Sequence, residues 1–225
     1  MQTEFGGGVP ETTTFAQTLG SLKENGSNML LVGSGETSAH EAACHRLLGK
    51  TEHESRYRLF VVTGEQRCRC PALETDDVVD GRRQVVTHGD PFELFADDVG
   101  AETASKRADP LGELGAAMIY AINEFDDDAD GLEPSDLRVC VDSLVPLLQQ
   151  YPSERVFRFL HMTTAQIKRA HGMGHYHLPV PRDHDAVNLF EPLFDAVVEL
   201  RDANGTPEQR WHLRERNTSS DWIRI

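Results

Sequence analysis

Lysine is scarce in this chain. Only Lys23, Lys50, Lys106 and Lys168 occur among 22 basic residues, the rest being arginine, against 37 Asp and Glu and a formal net charge of −15. So few cations among so many carboxylates argue against a non-specific nucleic-acid binder, whose affinity comes from releasing phosphate counterions. The same surface suits molar salt, which screens the repulsion among its carboxylates. Long apolar runs are missing too. None approaches the ~20 residues that a membrane helix needs, and the N-terminus carries no basic-then-apolar leader. No membrane partner is expected, and a cytoplasmic location is. Cysteine is limited to four residues, which do not form a disulfide framework. Cys68 and Cys70 make an isolated C-x-C without a second pair. Cys44 and Cys140 fall in apolar stretches and read as small buried hydrophobes. All four are expected to be reduced.

What remains is enough for one core. Of 225 residues, 39% are hydrophobic, and no linker divides them, so a single domain over residues 15–225 is expected behind a loose lead-in at 1–14. Short Val- and Leu-rich runs predict strands at Met29–Val32, Arg58–Thr63, Gln84–Thr87, Leu137–Val141 and Tyr176–Val180, in the pattern of parallel strands covered on both faces. Helical periods separate them. Pro110 follows Asp109 at a first-turn position, and Leu111, Leu114, Met118, Ile122 and Phe125 recur at three- and four-residue steps. Val156, Phe159, Leu160, Thr163, Ile167 and Ala170 repeat the pattern. Near the C-terminus, "FDAVVELR" and "QRWHLRER" flank the turn signal Asn204-Gly205, and "DWIRI" suggests one more strand. The fold class expected is α/β, a mainly parallel sheet extended by antiparallel C-terminal strands.

These pieces, in this order, resemble the RecA/KaiC-like P-loop ATPases, and most of all short archaeal members tied to signal transduction in salt-loving organisms. "LKENGSNMLLVGSGE" is similar to the family's approach to its first strand, and "LRVCVDSLVPLL" to its Walker B strand. "RVFRFLHMTTAQIKRAHGMGHYHLP" is similar to the helix and strand that follow, and "LFDAVVELR" to its terminal hairpin. The resemblance spans about residues 19–216 and implies a RecA-like three-layer fold. It also implies ATP with magnesium as ligand, if the site is intact.

The phosphate loop is where the chain departs from that family. A working loop reads G-x-x-x-x-G-K-[ST], whose lysine neutralises the phosphates and whose hydroxyl holds magnesium. Laid on Gly33, that frame puts Ser38 at the second glycine, Ala39 at the lysine and His40 at the hydroxyl. The remnant loop is Gly33, Ser34, Gly35, Ser38 and His40, with the acid Glu36 inside it. Ser38 to Glu41 reads instead as a capping box for the next helix. Other family positions persist in part. Asp142 matches the Walker B aspartate and Glu65 lies near the catalytic glutamate. Arg214 and Arg216 resemble the Lys-x-Arg that reaches a neighbouring subunit's nucleotide. Each also has a plain use: Asp142-Ser143 as a helix cap, Glu65 as a loop acid, the arginines as edge protection.

Two further groups stand out. His171, His175 and His177 lie within seven residues, with His184 shortly after. His175 and His177 share one face of a strand, as two metal ligands would. Asp126, Asp128, Asp130 and Gly131 have calcium-loop spacing, but Leu137 stands where the bidentate glutamate belongs. The function expected is a non-catalytic RecA/KaiC-like regulatory or protein-interaction domain without cofactor. It would contact a protein partner or a second copy of itself, with Trp211 and Trp222 as possible anchors. The alternatives are an ATPase with an atypical loop, using Glu65 and Asp142, and a histidine-based metal module.

Overall fold

The structure is a computed structural model that describes residues 11–33, 37–49, 56–64, 82–89, 109–215 and 218–225. Its elements in chain order are α1 (Glu11–Glu24), β1 (Ser27–Val32), α2 (Thr37–Leu48), β2 (Tyr57–Val62), β3 (Arg83–Thr87), α3 (Pro110–Asp128), β4 (Leu137–Val141), α4 (Val145–Gln150), α5 (Ser153–Arg169), β5 (Met173–Leu178), α6 (Asp185–Phe190), β6 (Ala196–Asp202), β7 (Pro207–Leu213), β8 (Thr218–Ser219) and β9 (Ile223–Arg224). The strands form one mixed sheet in the order β3-β2-β4-β5-β1-β6-β7-β8, with β9 also paired to β7. Pairings from β3 through β6 are parallel, and those of β7 with β6, β8 and β9 are antiparallel. This is the α/β architecture the sequence pattern implies.

The alternation along each central strand sorts its side chains between two layers. Leu30, Leu59, Val139 and Tyr176 point to a large apolar cluster with Leu114, Met118, Phe125 and Leu160 from α3 and α5. Met29, Leu31, Met173 and Val198 point the other way, toward Ala39 and Ala43 of α2, with Phe15 and Leu19 of α1 packed at the margin. The sheet therefore lies between two helical layers. Because both faces are covered, β1, β4 and β5 are buried at every position.

Several boundaries differ from the sequence reading. Residues 11–14 belong to α1, so part of the expected lead-in is helix, and residues 1–10 lie outside the described residues. Asn25-Gly26 follows that helix, with Gly26 at φ +73. β5 begins at Met173, three residues before the predicted start. Gly174 and two histidines do not look like interior strand residues, yet the sheet buries them all. The acidic run at 126–130 is not wholly a loop. Asp126 to Asp128 close α3, Asp126 Oδ1 accepts the Leu132 amide at 2.9 Å, and Leu137 is core.

Candidate functional site

α2 follows β1 and crosses the sheet over β4, β5, β6 and β7. On that face, alternation places Cys140 of β4 beside His175 of β5, its register partner, with His177 two residues on and paired to Leu31 of β1. From above, α2 brings down His40 and Cys44, one helical turn apart on its inner face. All five side chains are buried.

The contacts among them are close. Cys44 Sγ lies 3.5 Å from Cys140 Sγ and 3.4 Å from His175 Nε2, and the two cysteines are not joined by a disulfide. The two Sγ atoms and one ring nitrogen each of His175 and His177 all fall within 4.8 Å of one another. Burial depresses the basicity of all three histidines. His175 falls from 6.5 to about 3 by desolvation, helped by the cationic field of buried Arg138. His177 is driven well down and His40 is lowered, desolvation being the largest cause in each case. At neutral pH these imidazoles are uncharged, and each holds one bare nitrogen lone pair.

The hydrogen bonds then settle which nitrogen that is. His40 Nε2 lies 3.2 Å from the Gly33 carbonyl, which can only accept, so Nε2 carries the proton. Neutral His40 therefore accepts at Nδ1, where His177 Nδ1 approaches to 2.9 Å and must donate. This leaves the lone pair of His177 on Nε2, a buried atom with no hydrogen-bond partner among the described residues. An orphaned acceptor in a core costs about 1–3 kcal/mol.

The residues expected to serve a nucleotide fare differently. Ser34, Gly35, Glu65 and Arg216 lie outside the described residues, as do Cys68 and Cys70. Gly33 is buried at φ +145, and a Cβ there would overlap the carbonyl oxygen of Leu200. Close approach to β6 is thus reason enough for a glycine. Ser38 lies inside α2, which begins at Thr37, so it is not the cap residue of a capping box. His40 points into the core rather than toward solvent. Asp142 is also tied down: its Oδ1 accepts the Thr63 amide at 2.9 Å, and the Thr63 hydroxyl lies 2.9 Å from the same oxygen. Ser143 Oγ accepts from the Val145 amide at 3.2 Å, but the cap position of α4 is Leu144, so neither Asp142 nor Ser143 is the helix cap expected.

Beyond the C-terminal ends of β1, β5 and β6, where open α/β sheets hold their ligands, lies a cleft of about 910 Å³ lined by Gly33, Arg182, Glu199, Arg201, Arg210 and Trp222. Its arginines are engaged with glutamates of the same chain: Arg182 with Glu191 at 2.8 Å, Arg201 with Glu208 at 2.7 Å, and Arg210 with Glu199. Among the described residues no lysine lines it. Arg214, expected to reach a neighbouring subunit, bonds the Pro192 carbonyl of its own chain. Neither tryptophan stands fully exposed. Trp211 is core, and Trp222 lies half-buried with Arg201 stacked 3.8 Å from its ring centroid.

His171 does not join His175 and His177. It sits at the opposite end of β5, in a turn at φ +50, near Asp126 and Arg169. His184 caps α6, its Nδ1 accepting the Ala186 amide at 3.1 Å. Two partners that the histidine reading missed, Cys44 and Cys140, take the place of His171.

Residues 26–200 match the model of a family of unknown function, DUF7504. The chain belongs to DUF7504. No curated protein matches it. The DUF7504 span contains Gly33, His40, Cys44, Cys140, Asp142, His175 and His177, and it ends within β6, before β7 to β9.

Proposed function

We propose that this DUF7504 chain is a RecA-like domain that does not hydrolyse nucleotide and acts as a regulatory or protein-interaction module in a salt-adapted cell. The observation that carries the reading is His40. At the position of the magnesium-binding hydroxyl, an imidazole is buried and bonded to both Gly33 and His177. A residue so anchored cannot swing out to a metal–triphosphate without breaking both bonds. Asp142, engaged with Thr63, and the ion-paired arginines of the cleft support the same conclusion. A mainly parallel sheet with an antiparallel C-terminal extension is the architecture the RecA/KaiC-like resemblance calls for. For a contact surface, the Gln166–Asn123 hydrogen bond ties α5 to α3. One turn earlier on each helix stand exposed Met162 and Tyr120.

The test is titration of the purified protein with a fluorescent ATP analogue and magnesium in molar KCl. No saturation up to millimolar analogue is expected. Saturable micromolar binding would overturn the reading in favour of an ATPase with an atypical loop.

A further inference from the structure

We propose that Cys44, Cys140, His175 and His177 bind a single tetrahedral zinc-type ion between α2 and the sheet, with His40 as the positioning residue behind His177. Two thiolates and two imidazoles are a donor set that selects zinc among the common divalent ions, and a closed set of four protein ligands marks a structural rather than a catalytic site.

The geometry is close to what such an ion requires. Tetrahedral ligand atoms stand about 1.63 bond lengths apart, so zinc–sulfur bonds of about 2.3 Å and zinc–nitrogen bonds of about 2.0–2.1 Å give edges of roughly 3.8 Å between sulfurs and 3.6 Å between sulfur and nitrogen. Here the sulfur–sulfur distance is 3.5 Å and the Cys44–His175 distance 3.4 Å. Both sulfurs and one ring nitrogen each of His175 and His177 lie within 4.8 Å of one another, so closing on the ion asks for adjustments of about 1 Å.

A second, independent observation points the same way. The chain from the Gly33 carbonyl through His40 to His177 leaves His177 Nε2 buried and, among the described residues, without a hydrogen-bond partner. A histidine that ligates through one nitrogen donates from the other to an acceptor that fixes its tautomer and its aim. His40 Nδ1 is that acceptor, and Gly33 in turn fixes His40. Hydrogen bonding between thiol and imidazole accounts for the Cys44–His175 approach in the ion-free chain, but it leaves the His177 nitrogen unsatisfied. Neighbouring positions on this face are Leu48 and Phe60. Loading is balanced by proton release: the two thiols each lose a proton as they bind the cation, leaving a neutral centre of one divalent ion and two thiolates.

The experiment uses the full chain, purified with chelator in molar KCl under reducing, anaerobic conditions, then titrated with cobalt(II) as a spectroscopic probe. One equivalent is expected to give the intense visible bands of tetrahedral cobalt and a thiolate charge-transfer band, both abolished by zinc. A Cys68→Ala/Cys70→Ala double variant should keep the spectrum. Cys140→Ala and His177→Phe should lose or recast it while retaining wild-type far-ultraviolet circular dichroism. His40→Ala should keep the thiolate band but bind roughly 10–100-fold more weakly. A folded wild-type protein that gives only weak octahedral absorption overturns the proposal. So does a tetrahedral spectrum that survives Cys44→Ala/Cys140→Ala or disappears with Cys68→Ala/Cys70→Ala. Should the single-ligand variants fail to fold, the wild type and the Cys68→Ala/Cys70→Ala variant still decide the matter.

Discussion

Acid should destabilise the metal-free protein through His175, and by a calculable amount. In the folded chain this imidazole is fully desolvated and titrates at about 3, against 6.5 when exposed. Between those values the unfolded state binds a proton that the folded state refuses. Stability from this group is therefore complete above pH 6.5 and drains away as pH falls toward 3. Over the whole interval the loss approaches about 5 kcal/mol, and by about pH 5 it reaches about 2 kcal/mol. His177 and His40 shift in the same direction and add to it. The carboxylate-rich surface also changes with pH, so the informative quantity is a difference between proteins. Urea unfolding of the chelator-treated protein, followed by tryptophan fluorescence in molar KCl, would be measured for wild type and His175→Gln at about pH 7.5 and about pH 5. The wild type is expected to lose about 2 kcal/mol more than the variant between the two conditions. Equal losses would mean that His175 titrates like a solvent-exposed histidine, and the burial of the cluster would be wrong.

Substitutions at four further positions probe the fold around and beyond the site. Gly33→Ala should cost more than about 3 kcal/mol, because the new Cβ meets the Leu200 backbone at φ +145. Gly205→Ala, at φ +80 with open space around it, should cost only about 1 kcal/mol in the same urea assay. Asp142→Ala should lose about 2–3 kcal/mol by stranding the Thr63 amide, and Asp142→Asn much less, since its carbonyl still accepts. A neutral Asp142→Ala would return that residue to a purely metal-holding role. Arg201→Ala, which removes the nearer of two guanidinium groups over Trp222, should shift the tryptophan emission while changing stability by under about 1 kcal/mol, because its ion pair with Glu208 is solvent-screened.

The scaffold was legible because it rests on local signals. Val- and Leu-rich runs marked β1, β2 and β4, Asn204-Gly205 marked the β6–β7 hairpin, and the spacing of Leu111 through Phe125 marked α3. Each depends on residues within a few positions of one another. β5 was read short because Met173-Gly174-His175 carries no apolar alternation; its burial comes from neighbours β1 and β4, which are distant in sequence. Ser38 was misread as a cap because the sequence alone does not say whether a serine stands just before a helix or just inside it.

The cluster was half visible. His175 and His177 showed their shared face, and Cys44 and Cys140 showed that they were buried, but 96 residues separate the two cysteines. Only the strand order, with β4 beside β5 and α2 lying across both, turns these four positions into one place. A local clue was nevertheless available: His40 and Cys44 repeat at helical spacing on the apolar side of α2, just as His175 and His177 repeat at strand spacing. Two such i, i+4 and i, i+2 pairs, each with one face toward the same sheet, are the pattern of ligands converging from a helix and a strand. Assigning His40 to a phosphate loop hid it, because that frame asks what a residue offers to solvent. Here His40, in the first turn of α2, faces inward, and the same anchoring that removes a nucleotide contact supplies the hydrogen bond that aims His177.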